Sequence, residues 1–91
     1  MSTYRWYVLA RVVPLADGKI RPIPPGELYE FVSWHRSDDG MRAQRAKLDR
    51  KGRQAIHVFS SSRAQAVRDA IRCYDVRVYG YDVHGRVVKD G

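Results

Sequence analysis

Gln54-Ala-Ile-His-Val-Phe-Ser-Ser-Ser-Arg-Ala-Gln-Ala-Val-Arg-Asp-Ala-Ile-Arg-Cys-Tyr74 changes its period in the middle. Residues 54–59 alternate, with Ile56 and Val58 on one side and His57 and Phe59 on the other, which predicts a strand. From Ser62 the apolar positions recur at helical spacing: Ala64, Val67, Ile71 and Tyr74. Ser62 with Gln65 three residues on has the form of a capping box, and Gln65, Arg68, Asp69 and Arg72 fall on the outer side. A strand followed by an amphipathic helix over about 62–73 implies a helix lying on a sheet.

Residues 4–13 supply the next strand. Trp6, Val8, Ala10 and Val12 share one face, while Tyr7, Leu9 and Val13 share the other with Arg5 and Arg11. Apolar side chains on both faces mark a central strand. Residues 28–35 read as another, with Leu28, Glu30, Val32 and Trp34 facing one way and Tyr29, Phe31, Ser33 and His35 the other. Between them, Asp17-Gly18 is a turn, and Pro22, Pro24, Pro25 and Gly26 impose an irregular arm. Val76 and Val78 alternate with Arg77 and Tyr79 in a further strand. His84-Gly85 suits a hairpin turn, and residues 86–88 close the sheet.

Together these elements predict a single α+β domain spanning residues 1–91. Its mostly antiparallel sheet has four or five strands, with one helix on one face. Sequential strands are usually neighbours, so the second and third are expected to pair. The segment 41–51 between them reads as a short basic helix or a loop. Ala43 and Ala46 favour helix and Met41 and Leu48 share a face, but the apolar stripe is narrow.

That connection also carries the charge. Arg42, Arg45, Lys47, Arg50, Lys51 and Arg53 against Asp49 alone give +5 of the chain's +7, so everything else carries +2. Basicity this local points to a polyanionic partner, because cations that neutralise phosphates release counterions. Tyr29, Phe31 and His35, on one face of their strand, are candidate stacking partners for bases. The expected function is a non-enzymatic module that contacts nucleic acid, or a nucleoprotein complex, through these nine residues. One alternative is a small inhibitor or adaptor, of the type phages and mobile elements encode, that docks on a protein complex. The other is a small metal-independent ribonuclease, which would require His35 or His57.

Lys51 to Phe59 locally resembles the RNP1 strand of RNA-recognition motifs. Arg53 and Ala55 stand where that family places its stacking aromatics. Its first helix would also fall in the proline-rich segment, so the likeness does not extend to the family fold. No His pairs with another His or a Cys at a recognised ligand spacing, a turn accounts for Asp38 and Asp39 near His35, and no phosphate loop or nucleophile elbow is present. No cofactor is expected. Cys73 is the single cysteine, which precludes an internal disulfide, and its place late in the helix suits a partly buried residue. No apolar run approaches the roughly 20 residues of a membrane span, and the first residues lack a signal-peptide pattern. The expected location is therefore cytoplasmic, away from membranes.

Overall fold

The computed structural model describes residues 3–17, 19 and 21–88. The strands are β1 (Arg5–Arg11), β2 (Leu28–His35), β3 (Ala55–Ser60) and the short β4 (Arg77–Val78); the helices are α1 (Asp38–Arg50) and α2 (Arg63–Tyr74). The sheet order is β3-β1-β2-β4. β1 is antiparallel to both neighbours, and β2 and β4 are parallel. The α+β class and the strand count match the expectation, but the pairing of the second and third strands does not. β1 lies between them, because its two apolar faces each need covering and only a central position covers both.

β2, β3 and β4 therefore run in one direction, and each connection between them is a helical crossover. α1 carries the chain across the sheet one way and α2 carries it back. Two crossovers of one hand in opposite directions must lie on opposite faces, as the right-handed rule requires. Tyr7 and Leu9 pack with Ile56, Val58, Ala66, Val67 and Ala70 beneath α2. Val8 and Ala10 pack with Met41, Leu48 and Ala55 beneath α1. The expected single helical layer is thus two layers.

α1 forms because its ends are satisfied. The Ser37 hydroxyl accepts the Gly40 amide at 3.1 Å, Asp38 and Asp39 occupy the first turn, and Lys47 and Arg50 the last. Arg42, unfavourable near the helix start by itself, donates through Nε to Asp38 at 2.6 Å. The two-residue stripe packs on Val8 and the small residues Ala10 and Ala55. Met41 is 1% and Leu48 5% exposed.

α2 begins at Ser62, whose hydroxyl accepts the Gln65 amide at 3.1 Å. The reciprocal half of the capping box does not form: Gln65 Oε1 accepts from Arg68 at 3.1 Å, and its Nε2 donates to Asp69. Ser62→Ala is expected to cost about 1 kcal/mol, read as a lower urea midpoint at unchanged slope. The buried stripe is Ala66, Val67 and Ala70 with Ile71 and Tyr74 at its margin, so the expected Ala64 is exposed, as is Cys73. Asp69 turns inward to accept the hydroxyl of buried Ser60 at 2.5 Å.

The proline arm is tied down by Gln54, which accepts the amide and donates to the carbonyl of Arg21. The expected Asp17-Gly18 turn includes Gly18, which lies outside the described residues, as does Ile20. At the other end, residues 86–88 do not extend the sheet. Gly80 has a φ of +87° and turns the chain away, leaving one bridge between Tyr81 and Val87 around the His84-Gly85 turn. Asp82 holds that turn by accepting the amides of His84 and Arg86.

Candidate nucleic-acid interface

A β-bulge decides which β2 side chains meet. Val8 pairs with Ser33 but Leu9 pairs with Phe31, so Val32 is the extra residue. Beyond a bulge the alternation inverts. Tyr29 and Phe31 lie on the α2 side; Ser33 and His35 move to the α1 side, and Trp34, opposite Tyr7, moves to the α2 side. Tyr29, Phe31 and His35 therefore do not form one surface. Tyr29 is 1% exposed and cannot stack on a ligand, and burial pushes its phenol pKa up. The His35 ring, beside Ser33 at 2.8 Å, faces the start of α1. Phe31 alone of the three remains at an accessible groove.

The basic residues divide into two groups. Arg42 pairs with Asp38. Arg53 bridges Glu30 at 2.6 Å and donates to the Arg11 carbonyl, fixing the entry to β3. Arg45 donates to Nδ1 of His57 at 2.8 Å. Arg45 and Arg53 are engaged in part-buried contacts, and the Arg42 pair lies on the surface. Lys47, Arg50 and Lys51 are exposed at the end of α1 and make no side-chain bond or ion pair among the described residues. Hence the six-residue cluster read from the sequence divides into three cations without a partner among the described residues and three arginines with one.

Arg45 fixes His57 as an acceptor at Nδ1, so its proton sits on Nε2. Burial and the adjacent guanidinium hold its pKa below the ordinary 6.5. The unfolded chain then protonates first as pH falls, at about 6.5. Stability from this site is therefore full above that value and declines as pH drops through it towards the folded value. Urea midpoints are expected to fall between about pH 7.5 and 5.5, and His57→Gln is expected to flatten that slope. Asp69 behaves differently: burial pushes its carboxyl up, but hydrogen bonds from Ser60 and Gln65 and the charges of Arg72 and Arg68 outweigh it and lower the pKa. Its contribution is lost only below the ordinary carboxylate range.

A second cluster involves residues that the sequence reading did not select. Trp34 is 47% exposed, and the Arg5 guanidinium lies 4.2 Å from its ring centroid with that of Arg36 at 5.9 Å. Arg63, the first residue of α2, stands 4.5 Å over Phe31. Tyr7, Phe31, Trp34 and Arg63 line a groove of about 160 Å³. Strict alternation separates Trp34 from Phe31, so the bulge hid the pair. The available signal was the placement of arginines beside aromatics in Arg5-Trp6-Tyr7 and Trp34-His35-Arg36.

Among the described residues no group of three His, Cys, Asp or Glu side chains is placed to hold a metal ion, and no helix is long and apolar enough to cross a membrane. No protein-family model matches the chain, and neither curated proteins nor solved structures provide a match.

Proposed function

We propose that the protein is a non-enzymatic nucleic-acid-binding module whose phosphate contacts come from Lys47, Arg50 and Lys51. The observation that supports this reading is the segregation of charge. Six arginines are ion-paired to carboxylates among the described residues. The unpaired cations at the end of α1 sit together, where each can neutralise a phosphate without breaking an internal pair. Their position over the last helical carbonyls also favours positive charge there before any ligand arrives.

The test is fluorescence anisotropy with short single- and double-stranded DNA and RNA at about 50 and 200 mM salt, the range over which phosphate contacts show. Binding that weakens steeply with salt supports the proposal. Intact oligonucleotides after incubation agree with a binding role, and cleaved RNA moves the reading to the ribonuclease alternative. Absence of binding to all four rejects the nucleic-acid reading in favour of an adaptor that uses the same cations on an acidic protein surface.

A further inference from the structure

We propose that the groove between Phe31 and Trp34 is a base-stacking site for single-stranded nucleic acid. The proposal rests on the nucleic-acid reading and names the kind of strand and where its bases sit.

The geometry has three parts. Phe31 forms the floor, its ring edge-to-face with Tyr7 at 5.9 Å and Tyr81 at 6.2 Å, so its position is set by packing from both sides. Trp34 forms an exposed wall, projected to this side of the sheet by the bulge at Val32. Arg5, Arg36 and Arg63 surround the two rings. None of these arginines is ion-paired to a carboxylate among the described residues. The first turn of α2, which starts at Arg63, also lacks an acidic residue, unlike that of α1.

Charge and shape together select the occupant. Three unpaired guanidiniums call for an anion. Stacked on an aromatic face, a guanidinium keeps its in-plane N–H donors free, and these match phosphate oxygens. An acidic peptide would meet the charge but would leave the flat rings without a flat partner, and an aliphatic peptide would leave the charge unmet. A nucleobase stacks on an aromatic face or on the guanidinium plane, and its own phosphate then falls among the arginines. In a duplex both faces of each base are already stacked, so the groove discriminates in favour of unpaired strands. It lies on the α2 face of the sheet and Lys47, Arg50 and Lys51 lie on the α1 face. The two surfaces can therefore be tested separately.

The probes are 12-nucleotide oligo(dT), oligo(U) and a 12-base-pair DNA duplex, titrated into the full chain. Trp6→Phe leaves Trp34 as the sole tryptophan reporter. Quenching of its fluorescence by oligo(dT) or oligo(U), but not by the duplex, is the expected result. Trp34→Ala is expected to weaken single-strand binding about 5- to 150-fold while leaving duplex binding unchanged. Trp34→Phe should recover part of the loss. Trp34 is half-exposed, so the Ala variant should keep the wild-type circular dichroism and melting profile. Oligonucleotide binding that is insensitive to Trp34→Ala, with no quenching, overturns the stacking site and leaves the α1 reading standing. Failure of every probe to bind overturns both.

Discussion

Leu9→Ala is expected to lower the unfolding free energy by about 2–5 kcal/mol. Leu9 is fully buried in the middle of the central strand, beneath α2 and between Ile56 of β3 and Phe31 of β2. Truncation removes its transfer free energy and leaves a cavity that three elements would have to move to fill. The adjacent residues hold them in place: Val8 and Ala10 anchor the same strand to the other layer. A chain of 91 residues carries about 5–14 kcal/mol in total, so this substitution takes a large share. A fall in melting temperature of about 10 °C or more should be seen. Val32→Ala is the control, because the bulge residue is exposed and its truncation should change stability by about 0.5 kcal/mol or less. A Leu9 variant as stable as that control would show that β1 is not the central strand.

The combined Lys47→Glu, Arg50→Glu and Lys51→Glu variant is expected to remove most of the salt-dependent affinity. If each cation meets one phosphate, the slope of log affinity against log salt should become shallower by about 2–3. The all-Gln version of the same variant separates loss of attraction from added repulsion, since it should show the same change in slope with a smaller loss of affinity. Reversal also places negative charge at the end of α1, where the helix dipole disfavours it, so thermal unfolding must be measured alongside. Arg53→Gln serves as the contrast. It breaks the pair with Glu30 and should affect stability more than salt dependence. Unchanged slopes in both triple variants would reject the α1 patch as the phosphate site.

These contrasts follow from pairings that sequence spacing does not contain. Within residues 42–53 the six cations look equivalent. In the fold, Asp38, His57 and Glu30 each claim one of them, from the helix start, from β3 and from β2. A similar point applies to Phe31. Its strand, its apolar character and its candidacy were legible, but its partner Trp34 was not, because a bulge changes side-chain facing without altering composition.

What the sequence determined by itself was local. Period and capping placed β1, β2, β3 and α2. The charge run located the basic connection, and prolines fixed the irregular arm. Apolar residues on both faces of residues 4–13 also marked the central strand, since alternation is a property of the strand alone. Tertiary structure decided what depends on two segments at once. It placed β1 between β2 and β3 and put the helices on opposite faces. It seated α1 on small sheet residues, gave three of the six cations partners, and brought Trp34, Phe31 and Arg63 to one groove with Arg5 and Arg36 against the Trp34 ring. The physical reason is that pairing, burial and register are set by competition among distant segments for the same two faces of one sheet.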